Sequence, residues 1–321
     1  MNNSISAVIT TYLRPQALAR AMQSIAAQQL QPQELIVVDN ANDADTAEVV
    51  ANAADNTPFP VRYIAEHKRG ASAARNRGLT EAQGAFVAFL DDDVWLPNHL
   101  LSFSELCANK EGMALFGGYL ARYGTPGKLI LPDNDRLFSA YVEDSQLKLL
   151  TRPKAPLDRP FFTPSMTSSV IRTALARQVM FDEELAGRED IYFVWLLAER
   201  GDILIHQEVH ALADQLDTSL FSVAAGASEV ISLRMALKKA HYGVMMLERV
   251  VKRCAPSPHL MHELSSAYFD ASYFNAKAGN TRLALKYLMG SLRIRPEHRH
   301  MKLAFRVVES VLKNRVFPSD E

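Results

Sequence analysis

Three consecutive carboxylates, Asp91-Asp92-Asp93, follow directly on the apolar run Ala85-Phe86-Val87-Ala88-Phe89-Leu90. Adjacent like charges repel, and a buried unpaired carboxylate is costly, so the acids must lie where water or a cation reaches them. The apolar run reads as a strand buried on both faces. In an open parallel sheet, the place just beyond the carboxyl ends of the strands is the ligand crevice. Hard carboxylate oxygens there suit Mg²⁺ or Mn²⁺, ions that keep part of their shell for water and substrate phosphates. A solvated acidic turn would have the same composition, so the surroundings carry the weight. Lys68, Arg69, Arg75 and Arg77 sit in the small-residue stretch Lys68–Leu79. Gly and Ala permit close backbone approach, and Arg grips phosphate bidentately; the alternative is four solvated charges. Glu189-Asp190 opens a helix, where a carboxylate either serves as a general base or simply complements the helix dipole. His206 and His210 read as surface residues of a strand-to-loop segment, and Trp95 and Trp195 as packing. No Ser/His/Asp or Cys/His set emerges from spacing, and no phosphate loop of the Walker type.

The elements that must position these groups follow from pattern. Ile5–Thr10 is a short strand, and Pro15 begins a helix whose Leu18, Met22 and Ile25 share one face. Leu35–Val38 is a second strand ending at Asp39-Asn40, Thr46–Ala54 a helix, and Val61–Ile64 a third strand. Lys68–Leu79 enters a helix, and Gly84 precedes the central strand. This alternation predicts a parallel sheet with helical crossovers. Thr10-Thr11, Asp39 and Asp91 to Asp93 each stand at a strand end, so they converge on one edge. A helix from Pro97 to about Asn109, strands at Met113–Phe116, Thr167–Ile171 and Ile203–Ile205, and helices at Thr173–Gln178 and from Asp190 complete the first part. Gly117–Pro160 reads as an irregular insertion, a place where function often resides.

Taken together, these residues resemble glycosyltransferase family 2, inverting enzymes of the GT-A fold (an α/β, Rossmann-like, mostly parallel sheet flanked by helices) that use nucleotide-sugar donors. Val8–Pro15 is similar to the family's opening strand and loop, Val37-Val38-Asp39-Asn40 to its second strand end, Gly70–Leu79 to its Gly/Ala-Arg-Asn segment, Phe89–Asp93 to its DXD element, and Phe181-Asp182-Glu183 with Glu189-Asp190 to its late acidic segment. The resemblance covers about Ser4 to His210. It implies that Thr10, Thr11, Tyr12 and Asp39 line the nucleobase site, that Arg14, Arg69 and Arg75 assist with base and phosphates, and that Asp92 reaches the ribose. It also implies that Asp93, supported by Asp91, binds Mn²⁺ or Mg²⁺, and that Asp190, beside Glu189, is the general base. The donor is expected to be a UDP-sugar, and the acceptor a glycan or glycolipid hydroxyl in bacterial surface polysaccharide assembly. Two departures stand out: Asp39-Asn40-Ala41-Asn42 replaces the common Asp-Asp-Gly-Ser, and Ala213-Asp214-Gln215 occupies the place where a metal-completing His often stands.

Residues 1–218 are expected to form this catalytic domain and residues 219–321 a helical one, in which Tyr268–Pro296 resembles a tetratricopeptide-like hairpin turning at Gly279-Asn280. Arg293, Arg295, His298, Arg299, His300, Lys302 and Arg306 form a basic stretch that could touch a membrane surface or be a solvated helix face. A net charge of −1 over 321 residues gives no field that announces nucleic acid. Cys107 and Cys254 alone fit a reducing compartment. A polar N-terminus and the lack of any long apolar stretch predict a cytoplasmic protein, peripheral at most to the inner face of the membrane. Two other readings compete with transfer of a sugar. A nucleotidylyltransferase would normally carry a Gly-rich pyrophosphate loop, which Thr10–Pro15 lacks; an inactive scaffold would not need both Asp93 and Asp190.

Overall fold

The computed structural model describes residues 3–91, 93–107, 109–122, 140–141, 147–150, 164–213, 229–253, 256–304 and 307, with 121–122, 140–141, 147–150 and 229–230 as backbone only. They form two compact units, one reaching Ala213 and the other starting at Glu229. The boundary expected at residues 218/219, Asp92, Arg306 and much of the 117–160 insertion lie outside the described residues.

In the first unit, β1 (Ile5–Thr11), β2 (Glu34–Asp39), β3 (Val61–Ala65) and β4 (Phe86–Leu90) are joined by the helices α1 (Pro15–Ala26), α2 (Ala44–Ala54) and α3 (Ala71–Glu81). Then come β5 (Val94–Trp95), α4 (His99–Leu106), β6 (Met113–Arg122), β7 (Ala140–Tyr141), β8 (Leu147–Leu150), β9 (Ser169–Arg172), α5 (Thr173–Val179), α6 (Glu189–Ala198) and β10 (Asp202–Ala213). The strands form one mixed sheet in the order β3-β2-β1-β4-β9-β6-β10-β8-β7, with β5 on β10. The β3-β2-β1-β4 half is parallel, as alternation with helices requires. Beyond β4 the pattern departs from a parallel sheet, because β9 runs antiparallel between β4 and β6.

Side-chain alternation splits the core in two. Ile5, Ala7, Ile9, Leu35, Val37, Phe86 and Ala88 face α1 residues such as Leu18, Met22 and Ile25. Val8, Ile36, Val38, Val87 and Phe89 face the opposite layer, with Leu79, Phe193 and Val194. Burial on both faces is why these strands read as unbroken apolar runs. Helix α3 lies very close to β1: a Cβ on Gly78 would sit 2.3 Å from Val8 Cγ1. Asp43 caps α2, accepting the backbone N–H of Thr46 at 3.0 Å.

The last two long strands extend past their sequence limits, β6 to Arg122 and β10 to Ala213. That extension overturns the surface reading of His206 and His210, which are 4% and 0% exposed inside β10. Register shifts on either side of Val209 break the alternation that would have marked them as inward. His210 hydrogen-bonds His99 of α4 at 3.0 Å and His206 at 2.7 Å, with Phe116 against both β10 rings. Gly118 leaves room for this: a Cβ there would meet His210 Cδ2 at 2.0 Å. Trp95 and Trp195 are buried packing residues, as expected.

The second unit holds α7 (Glu229–Arg253), α8 (Pro258–Lys277) and α9 (Thr281–Ile294). Helices α8 and α9 form the hairpin predicted from sequence, turning at Gly279 with φ +78°. Ala284, Leu288 and Ser291 of α9 are buried. Ser291 Oγ donates to Ser265 O at 2.7 Å and lies 2.7 Å from His300 Nε2. With His300 2% exposed and both serines at 0%, this Ser/His pair fastens helices and meets no substrate. The basic stretch is therefore not one solvated face: His300 is internal, and Arg295 and Arg299 both pair with Glu297, at 3.2 and 2.8 Å.

The buried histidines make stability pH-dependent. Burial, then the neighbouring His206, pushes His210 down to about 3, and burial with His210 holds His99 well below the ordinary imidazole range. Above about pH 6.5 neither state is protonated there and stability is level. Below it the unfolded chain takes up protons that the folded chain refuses, so stability falls as pH drops from about 6.5 toward about 3. Melting temperatures between about pH 7.5 and about pH 5 should fall, and fall less steeply in the double variant His99→Gln, His210→Gln. An unchanged slope in that variant would assign the loss to other groups.

Candidate active site

The site begins with the strand ends. Thr11 and Asp39 are register partners across β1 and β2, and Asp91 leaves β4 beside them. Thr10 Oγ1 donates to Asp91 Oδ1 at 2.8 Å. Arg75, inside α3, donates through Nη2 to Asp91 Oδ2 at 2.8 Å and through Nη1 to Glu189 Oε1 at 3.1 Å. A run of hydrogen bonds thus joins β1, the end of β4, α3 and the first residue of α6. Arg75 is only 7% exposed and its Nε has no partner among the described residues. Burial opposes its charge, but the carboxylates of Asp91, Glu189 and Asp190 outweigh that and hold the guanidinium protonated. Burial pushes the Glu189 carboxyl up; Arg75 pulls it back only in part, and Asp190 adds to the rise.

Helix α3 also fastens the late acidic segment. Asn76 donates to Phe181 O at 2.9 Å and to Glu183 Oε1 at 2.8 Å, and accepts the Phe181 N–H at 2.7 Å. Ser72 Oγ donates to Asp182 O at 3.0 Å, and Lys68 pairs with Glu183. Phe181 stacks on Phe193 at 3.8 Å beneath Arg75. The chain then turns at Arg188, in a left-handed conformation with φ +74°, to start α6 at Glu189 and Asp190. Asp190 is half-buried and accepts the Ile191 N–H through Oδ1 at 2.8 Å.

Asp39 is fully buried, and its carboxylate is held from several sides. Oδ1 accepts the Ala41 N–H at 2.8 Å; Oδ2 accepts the Asp43 N–H at 2.7 Å and the Tyr63 hydroxyl at 2.8 Å. Burial, then the bond to Asp39, pushes Tyr63 up to about 12. Asn40, where the resembled family commonly has a second acid, clamps the next loop. It donates to Glu66 O and Lys68 O at 3.0 and 2.7 Å and accepts the Gly70 N–H at 2.7 Å. Beyond β1, Tyr12 and Leu13 are exposed, and the Arg69 guanidinium lies 5.8 Å from the Tyr12 ring centroid. Arg14 occupies the cap position of α1. Asp93 Oδ2 accepts from Thr167 Oγ1 at 2.8 Å, and Trp95 Nε1 donates to Thr167 O at 2.6 Å.

The structure thus gathers Thr10, Asp91, Arg75 and Glu189 into one bonded group, with Thr11 and Asp39 at the adjoining strand ends. Both terminal nitrogens of Arg75 are engaged by carboxylates, so it links Asp91 to Glu189 across the site. Lys68, Arg69 and Arg77 are exposed. Sequence pattern missed Tyr63, Thr167 and Asn76 as partners. Their side chains act on residues 24, 74 and 107 positions away, respectively, beyond any local period.

Replacing Arg75 by Met would strand Glu189 and Asp91 without their cation. Breaking one partner of a buried ion pair costs about 3–5 kcal/mol. Urea unfolding of Arg75→Met should show a loss of that order, and Glu189→Gln, which keeps a neutral acceptor, a smaller one. Equal stability of Arg75→Met and the parent would mean that the pairs contribute nothing net.

Residues 6–125 match the family model described as Glycosyl transferase family 2. A GalNAc(5)-diNAcBac-PP-undecaprenol beta-1,3-glucosyltransferase of Campylobacter jejuni is 27% identical over 299 residues, covering 91% of this chain and 89% of that protein. The fold resembles that of S. aureus TarS 1-349 in complex with UDP-GlcNAc (TM-score 0.59, 18% identity, 97% of this chain and 88% of that one). It also resembles the mannosyltransferase PcManGT from Pyrobaculum calidifontis in complex with GDP-Man and Mn2+ (TM-score 0.55, 14% identity, 98% and 88%). The strand-end acids, the Arg-Asn helix that holds them and these likenesses agree: residues 6–125 carry a glycosyltransferase family 2 domain, and the chain is a glycosyltransferase.

Proposed function

We propose that the chain transfers a sugar, with inversion, from a UDP-sugar to a hydroxyl of a lipid-linked glycan during bacterial surface polysaccharide assembly. The observation that carries this reading is the bonded run Thr10–Asp91–Arg75–Glu189, which ties the nucleotide-side strand ends to the helix bearing Asp190. The relative that acts on an undecaprenol-linked glycan and the neighbour solved with UDP-GlcNAc support the acceptor and donor classes.

In this reading Asp39, fixed by Tyr63 and two backbone N–H groups, reads the base edge beside Thr10, Thr11 and Tyr12. Arg69 and Arg14 border the base and phosphates, and Asp92 takes the ribose. Asp93 fits a divalent cation: its carboxylate supplies hard oxygen, and the Thr167 bond orients the group. Among the described residues no three His, Cys, Asp or Glu side chains cluster into a metal cage. That suits Mn²⁺ or Mg²⁺ held by one or two carboxylates and completed by diphosphate and water. Asp91, both oxygens engaged by Thr10 and Arg75, supports the site instead of closing it. When bound, the cation would neutralise the charge that gathers on the departing nucleoside diphosphate. Asp190 takes the acceptor hydroxyl proton as that oxygen attacks the face opposite the leaving group, so a single displacement inverts the anomeric centre. Glu189 keeps the helix start against Arg75.

Turnover should be assayed with a panel of UDP-sugars and a polyisoprenyl-diphosphate-linked glycan, and the product's anomeric configuration read by NMR. Asp190→Asn should lose about 10²- to 10⁴-fold in turnover with donor affinity kept, and Glu189→Gln far less. A variant Asp190→Asn with near-parent turnover places the base elsewhere. In a separate titration, Mn²⁺ should tighten UDP binding by the parent and not by Asp93→Ala. Equal UDP affinity with and without Mn²⁺ in the parent would remove the metal from the proposal.

A further inference from the structure

Helix α9 has an unusual outer face. Its inner side, Ala284, Tyr287, Leu288 and Ser291, is buried within the second unit. On the outer side Leu285 and Met289, one turn apart, are 44% and 49% exposed, and Leu283 is 45% exposed. Three of the eight large apolar side chains exposed among the described residues therefore sit in this one helix. Arg282, Lys286 and Arg293 are exposed too, and helical spacing puts them on the same arc as Leu285 and Met289. The helix sequence, TRLALKYLMGSLRI, contains no acid. A merely solvated helix face would carry polar residues and mixed charges, with acids to complement the bases at i,i+4. Apolar side chains flanked by cations alone describe a helix that lies in a membrane interface, its apolar residues among the acyl boundary and its cations on acidic headgroups. On the following helical segment, residues 298–304, Met301 is 60% exposed and Lys302 is exposed beside it, extending the same chemistry. No helix among the described residues is long and apolar enough to cross a membrane, so contact of this kind would be in-plane.

We propose that the outer face of α9, with Leu285 and Met289 set among Arg282, Lys286 and Arg293, docks the protein on an anionic lipid surface. The proposal deepens the lipid-linked acceptor put forward above. Its test uses no substrate, so either can fail alone.

The test is flotation of the full chain with vesicles of phosphatidylcholine, and with vesicles of phosphatidylcholine and phosphatidylglycerol in equal parts. The parent should float with the anionic vesicles, and added salt should weaken the association. Leu285→Glu with Met289→Glu should abolish flotation. Lys286→Glu with Arg293→Glu, which alters only exposed charge and leaves the apolar pair intact, should weaken it about 10-fold or more. Circular dichroism and cooperative thermal unfolding establish that both variants are folded. Equal binding to both vesicle types, no binding by the parent, or unchanged binding by the Leu285→Glu, Met289→Glu variant would each overturn the proposal. So would a dimer seen by light scattering that this variant breaks, with no vesicle binding in the parent, which would make the face a contact between two copies.

Discussion

A guanidinium cannot be buried without anions around it, and the site of this enzyme is built on that constraint. Arg75 has its two terminal nitrogens on Asp91 and Glu189, carboxylates 16 and 114 positions away along the chain. Removing a charge from water is expensive unless the pairing is close and complete. The same requirement runs the other way: Glu189, buried beside Asp190, would not sit comfortably as an anion without Arg75. The fold must therefore hold α3, the end of β4 and the start of α6 in one relation. That relation brings the acidic strand end and the proposed base onto one scaffold.

Much of the surrounding sequence serves this placement. Gly78 lets α3 press against β1, Asn76 and Ser72 bind the backbone of residues 181 and 182, and Asn40 holds the loop that leads into α3. The Asn at position 40, a departure from the acid commonly found there, is used to satisfy loop carbonyls and a loop N–H at once. An amide can do both, whereas a carboxylate only accepts. The proposed donor site, placed on such a fixed loop, would need little ordering when nucleotide arrives.

The buried histidines show the reverse case, polar groups kept inside with no charge to balance. Burial holds His99 and His210 below the ordinary imidazole range; His206, His210 and His99 hydrogen-bond in a row and rest against Phe116 and Trp95. They lie on β10 and α4, so this polar packing joins the strand that carries β5, just past the acidic run, to the helix that follows it. The Ser265–Ser291–His300 set does similar work in the helical unit. Both are reminders that a short histidine bond signals chemistry only when solvent or substrate can reach it.

The parallel pairing of the first strands, the helices between them, the α8–α9 hairpin and the identity of the acids at the strand ends were all legible in the chain. Each depends on local pattern: apolar runs, 3.6-residue spacing, Pro at a helix start and Gly at a turn. Apolar run length also misled, because bulged strands such as β10 lose alternation and so hid two buried histidines. What the tertiary structure alone decided is the state of each charge. Lys68, Arg69, Arg75 and Arg77 are alike in sequence, yet only Arg75 is buried and bound between two acids, one of them 114 residues away. Burial and pairing are set by neighbours distant along the chain, and the cost of a charge depends on those neighbours. A residue type and its spacing specify that a charge exists; only the packed fold determines whether it meets water, a ligand or another side chain.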